Sequence, residues 1–279
     1  MPITAIVKDF RSSISFSDNE VTLFRALASS IGKFSDSAFI DETHGQVAQV
    51  KFKSEINGPD QCEISDLLIV IKNSVTREYR ATFWQAKKES RPRWPLPRGN
   101  TNFDFEAQFN QWELLSQRPE IRGLAKFTVH KDILRVARSP SIGSFGVFYK
   151  GKSGVELNYS VAEMVSSSGV SKHPRMVINE KLAADHAWEN EVLVRTNIQS
   201  FLESLFSFEI GAKIDLASGQ GNWLANYINS KCYMNDLDSF FVIDERPPDS
   251  NSPDQFVGDD DGDGVSVLLI NIQDELKFR

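Results

Sequence analysis

DLLIVIKNSVTREYRATFWQAK, from Asp66 to Lys87, is the stretch that decides how this chain is read. Leu67 to Ile71 is an unbroken apolar run of strand length, so both of its faces need cover and it belongs inside a sheet. The strand is expected over Cys62–Ile71. Lys72 to Arg77 is polar and reads as a hairpin loop, and Tyr79 to Lys87 as the returning strand. Side chains alternate along a strand, so Gln85 and Lys87 project from one face. Asp66 opens the apolar run on the neighbouring strand. Two adjacent strands thus bring a carboxylate, an amide oxygen and an ammonium to one point.

Upstream, Ser17 or Asp18 is expected to cap a helix with Glu20 in its first turn. Val21, Phe24, Leu27, Ala28 and Ile31 recur along it at helical spacing, and Gly32 ends it. Strands are expected around Ala38–Ile40 and over Gln46–Phe52, and Asn57–Asp60 reads as a turn. Downstream, Arg91–Asn100 reads as an irregular loop rich in proline and arginine, and Phe103–Ser116 as an amphipathic helix. Phe145–Tyr149 and Val155–Val161 read as strands joined by a turn at Gly151–Gly154. The last third is expected to hold helices over Glu189–Phe206 and Asn222–Ile228. It should also hold strands over Phe240–Ile243 and Val265–Ile272, separated by an acidic loop. The fold class is therefore α/β, a central mixed sheet flanked by helices, with an α+β C-terminal extension. Ser166–Pro174 is the best candidate linker, which divides the chain into 1–165 and 175–279, the two packing separately or as one domain.

Composition excludes some classes and favours others. The longest apolar runs are strand-sized, too short to span a bilayer, so no membrane partner is expected. The start, MPITAIVKDF, lacks the basic segment and apolar core of a signal peptide. Cys62 and Cys232 make neither a disulfide framework nor a zinc site, so the expected setting is reducing and cytoplasmic. The net charge is −7, unevenly spread: Lys72–Arg138 carries 14 Lys or Arg against 7 Asp or Glu, and Cys232–Arg279 carries 3 against 12. A basic segment of this kind supplies the local field that phosphates need, although charge alone also describes a solvated face.

Carboxylate and amide oxygens are hard ligands of the kind that suit Mg²⁺, which keeps several waters and takes further contacts from phosphate. A bound ion there would lower the pKa of a coordinated water and offset charge on a phosphodiester, and Lys87 would orient the water or stabilise developing charge. At this point the residues resemble a known family. Ile64–Ile71 followed by Phe83-Trp-Gln85-Ala-Lys87-Lys88 is similar to the PD-(D/E)XK, restriction-endonuclease-like nucleases, over roughly residues 18–150. The resemblance implies a four-stranded mixed sheet between helices and Mg²⁺-dependent (or Mn²⁺-dependent) cleavage of nucleic acid, with double-stranded DNA the expected substrate. Gln85 departs from the commoner Asp or Glu, a variant found in some bacterial anti-phage nucleases, and it leaves the site one charge short. A second copy of the chain or a defence-system protein is the expected protein partner. The metal ligands implied are Asp66 and Gln85, with Glu20 at the position where the family often adds a carboxylate. Glu63 has strand parity opposite to Asp66 and is expected to turn away, and Asp60 lies in the turn before the strand. Lys88, Arg91, Arg93, Trp94, Arg98 and Gln108 are expected to contact nucleic acid, with Glu106 an alternative to Gln108 on the same helix. A silent nuclease fold that only binds nucleic acid or protein is the competing expectation.

Other motifs carry less. Gly146–Ser153 matches GxxxxGK[ST], with Asp244 and Glu245 as its acidic counterpart, but Val147–Lys150 reads as strand and Ser153 is a poor helix start. Asp259–Gly264 imitates half of a calcium loop, yet Ile270 occupies the position of its bidentate Glu. His44, His130, His173 and His186 have no ligand spacing.

Overall fold

The computed structural model describes residues 3–42, 48–89, 102–125, 127–179, 190–241 and 264–273. The fold is α/β. Among the described residues eight strands form one mixed sheet, against the four expected, and helices flank it. At its centre β4 (Leu67–Asn73) and β5 (Glu78–Lys88) form the expected hairpin, in register from Leu67 opposite Trp84 to Asn73 opposite Glu78. β14 (Ser266–Ile272) runs parallel to β4 on its outer side, and β1 (Ser37–Ile40) pairs antiparallel with β14. On the far side of β5 lie β8 (Gly143–Gly151), parallel to it, then β9 (Gly154–Val161) and β12 (Val194–Arg195). β13 (Ala212–Ile214) pairs with the first half of β5.

Burial on both faces explains the apolar run. Leu68 and Val70 pack with Ala81 and Phe83 in one cluster, and Leu67, Ile69 and Ile71 pack with Trp84 and Ala86 in another. The second cluster is completed by α1 (Ile3–Ser13), α2 (Glu20–Phe34) and α4 (Ile198–Phe206). α3 (Phe109–Gln117) and α5 (Gly219–Met234) cover the other face. Two three-stranded sheets pack beside them. One joins β6 (Asn102–Glu106), β10 (Val165–Ser167) and β11 (Arg175–Asn179); the other joins β2 (Gln49–Ser54), β3 (Gly58–Glu63) and β7 (Ile121–Gly123).

Several elements differ from expectation for identifiable reasons. Asn19, not Ser17 or Asp18, caps α2 by accepting the Thr22 N–H at 2.8 Å, and the helix continues past Gly32 to Phe34. α1 precedes it, unanticipated in MPITAIVKDF. The expected strand over Cys62–Ile71 is two strands in different sheets, broken at Ile64–Asp66. The expected helix over Phe103–Ser116 begins only at Phe109, because Phe103 and Phe105 are buried on β6, which pairs with β11. The helix expected from Glu189 starts at Ile198, where Asn197 caps it by accepting the Ser200 N–H. Upstream, Leu193 and Val194 join β9 instead. α5 is longer than Asn222–Ile228, and Phe240 and Phe241 are not strand: Phe241 stacks on Tyr79 and Phe240 meets it edge-on.

On the two sides of the expected 165–175 boundary, β10 and β11 pair with each other. The GxxxxGK[ST] match is a β-hairpin, with Lys150 opposite Val155 and Gly151 opposite Gly154, and no helix starts at Ser153. No helix among the described residues is long and apolar enough to cross a membrane.

Candidate active site

β4 begins opposite Trp84, so among the described residues positions 85–88 of β5 have a strand partner only on the β8 side. Two carboxylates take the place of the missing ladder. Asp66 Oδ2 accepts the Ala86 N–H at 2.7 Å, and Glu20 Oε1, at the start of α2, accepts the Lys88 N–H at 3.1 Å. Both acids are held by backbone amides of the strand that bears Gln85 and Lys87. This satisfies donors that would otherwise be unpaired, and it fixes the carboxylates.

The Gln85 side chain donates from Nε2 to the same Asp66 Oδ2. Gln85 and Lys87 are buried, at 2% and 8% exposure. With Nε2 engaged, Gln85 Oε1 is buried with no hydrogen-bond donor among the described residues. A buried amide oxygen in that state fits a cation. Both bonds from β5 go to Asp66 Oδ2.

Burial pushes the Asp66 carboxyl up to about 6; the Lys87 ammonium and the Ala86 N–H oppose this, and Glu20 adds to it. Glu63 is pushed further, to about 8, first by burial and then by the charge of Asp66, again opposed by Lys87. The Glu63 carboxylate thus lies within range of the charges of Asp66 and Lys87. Strand parity is lost because β3 ends at Glu63 and the chain bends through Ile64–Asp66 before β4 begins. The sequence offered no signal for that bend beyond Ser65 and Asp66 themselves. Among the described residues no three His, Cys, Asp or Glu side chains converge as a metal-binding group.

The remaining expected residues are dispersed. Lys88 is turned from solvent: its ammonium donates to the Asp18 carbonyl at 2.7 Å and lies over the Phe16 ring. It lines a cavity of about 880 Å³ together with Glu20 and Lys150. Gln108 is the N-cap residue of α3 without a side-chain capping bond, and Glu106 is exposed on β6, not on that helix. Arg91, Arg93, Trp94 and Arg98 lie outside the described residues, as do His44, His186, Asp244, Glu245 and Asp259–Asp263. Asp60 approaches Asn110 on α3 at 3.4 Å, and His130 accepts the Asp132 N–H; neither reaches the site. Cys62 and Cys232 are buried free thiols. No family model, curated protein or solved structure matches this chain.

Proposed function

We propose that this chain is a Mg²⁺-dependent nuclease of the PD-(D/E)XK type that hydrolyses phosphodiester bonds in double-stranded DNA, in the setting of anti-phage defence or restriction. The observation that carries the reading is the junction of Asp66 with Gln85 and the Ala86 amide, beside buried Lys87. Chain order supports it. A helix bearing Glu20 is followed by β4 behind Asp66, by β5 ending in Gln85-x-Lys87, by α3 and by β8 parallel to β5, with β4, β5 and β8 adjacent in the sheet.

In this reading Asp66 and Gln85 would hold the metal, with Glu20 or Glu63 supplying the charge that Gln85 lacks. A bound ion would supply an activated water and offset phosphate charge. Lys87, whose charge acts on both Asp66 and Glu63, would orient the attacking water and stabilise negative charge developing on the phosphate oxygens. Asp66 must be ionised to act, so activity requires pH above its raised value. Glu63, raised to about 8 by burial and by the charge of Asp66, would give up its proton to a bound cation.

One observation favours a second reading. A neutral Gln85 and the lack of a three-acid group among the described residues also suit a silent nuclease fold that binds nucleic acid without cutting. Incubation of purified protein with duplex DNA and Mg²⁺ separates the two. Cleavage stopped by EDTA supports the enzyme; salt-sensitive binding with DNA left intact supports the silent fold.

A further inference from the structure

β2, β3 and β7 form a sheet with one face against the core and one in solvent. Val50, Phe52, Cys62 and Ile121 fill the inner face. By alternation the outer face takes Gln49, Lys51 and Lys53 from β2, Pro59, Gln61 and Glu63 from β3, and Arg122 from β7. Lys51, Lys53 and Arg122 are exposed, and none makes an ion pair among the described residues. Lys51 sits directly opposite Arg122 on one side and Gln61 on the other.

Like charges facing each other across two strands are destabilising, and an acid at position 61 or 122 would relieve the repulsion. The face is also continuous with the candidate active site: β3, which carries Gln61 and Glu63 on this side, runs through Ile64 and Ser65 directly into Asp66. Lys51 and Lys53 follow about 7 Å apart along β2.

We propose that this face is the track along which the substrate duplex lies, with Lys51, Lys53 and Arg122 contacting its phosphates as it leaves the site at Glu63. The assignment rests on the nuclease reading for the identity of the ligand and deepens it. A basic, unpaired row that leads from a phosphodiester site suits a sugar-phosphate backbone better than an acidic protein, whose charges would have no reason to end at Asp66. The contacts are to phosphate, so they position the duplex and carry no sequence preference.

The test is fluorescence anisotropy with a labelled short duplex in EDTA, where no bond is cut. Wild type is compared with a Lys51→Ala/Lys53→Ala/Arg122→Ala variant and with a charge-matched control, Lys8→Ala/Arg77→Ala/Lys172→Ala, from exposed positions elsewhere. Melting curves establish that all three fold. The face variant should bind at least about tenfold more weakly than the control, and its log–log salt dependence should be shallower by about three, near one for each lost phosphate contact. Equal affinity and slope in the two variants would overturn the assignment and leave the face to a protein partner, as would wild type that does not bind duplex at low salt. Because cleavage is measured separately in Mg²⁺, binding that depends on the face without cleavage would sink the catalytic reading alone. Cleavage with binding indifferent to the face would sink this proposal alone.

Discussion

Asp66 Oδ2 receives two donors from β5, the Ala86 amide at 2.7 Å and the side-chain amide of Gln85. One carboxylate oxygen is thereby held in place, and the Gln85 oxygen is turned away from any donor. Replacing the amide by a carboxylate exposes what this arrangement does. Gln85→Glu loses the hydrogen bond and sets two acids side by side, so the metal-free protein should melt at a lower temperature. With the missing charge restored, Mg²⁺ should bind more tightly by on the order of tenfold, or about 1.4 kcal/mol. Melting curves with and without Mg²⁺ read both effects. Equal stabilisation of both proteins by Mg²⁺ would count against Gln85 as a ligand.

Glu63 gives a pH signature. Its folded value, about 8, lies above the ordinary 4.5, so the folded state keeps a proton that the unfolded chain has lost. The stability this contributes is present below the unfolded value and is lost as pH rises through about 8. In EDTA, wild type should therefore lose stability relative to Glu63→Gln between about pH 5 and pH 8, and the difference should level off above that. Parallel curves across the range would mean that Glu63 is not forced to keep its proton.

The hairpin at Gly146–Ser153 yields a packing prediction. A Cβ on Gly146 would fall 1.7 Å from the Trp84 ring, which also meets Phe24 and Phe148 edge-on. Gly146 is thus glycine because an indole lies on its backbone, not because a phosphate does. Gly146→Ala should cost about 1–3 kcal/mol through overpacking, measured by urea denaturation. An unchanged midpoint would contradict that packing.

How much of this was legible in the sequence depends on the range of the interaction. The β4–β5 hairpin was readable because an apolar run, a polar turn and an alternating return lie within two dozen residues, and Asp66, Gln85 and Lys87 came with it. Phe105 fits a helical stripe with Phe109, Trp112 and Leu115 as well as it fits a strand face with Phe103, and only pairing with β11, some seventy residues away, decides for strand over Asn102–Glu106. β14 inserts between β1 and β4 by parallel pairing with a strand nearly two hundred residues earlier, which no local pattern announces. The break at Ile64–Asp66 was not legible, because alternation can be followed only while a strand stays regular. The basic row on β2 and β7 was hidden for the same reason as β14: Lys51 and Arg122 become neighbours only through the register.

A buried ion pair ties the C-terminal half to β5. Arg80 reaches Glu191 at 3.1 Å with both side chains 2% exposed, and Glu191 also accepts from Ser139 and Ser141. Removing the acid leaves a buried guanidinium short of its partner, so Glu191→Ala should cost about 3–5 kcal/mol. A cost below about 1 kcal/mol in chemical denaturation would show that solvent replaces the carboxylate freely.

The central claim is tested most directly by incubating supercoiled plasmid and Mg²⁺ with wild type, Asp66→Ala and Lys87→Ala, each confirmed folded, beside an EDTA control. The account predicts nicked or linear plasmid with wild type alone, and none in either variant or with EDTA. Cleavage that survives in both variants, or plasmid left intact by folded wild type in Mg²⁺ and in Mn²⁺, would contradict it.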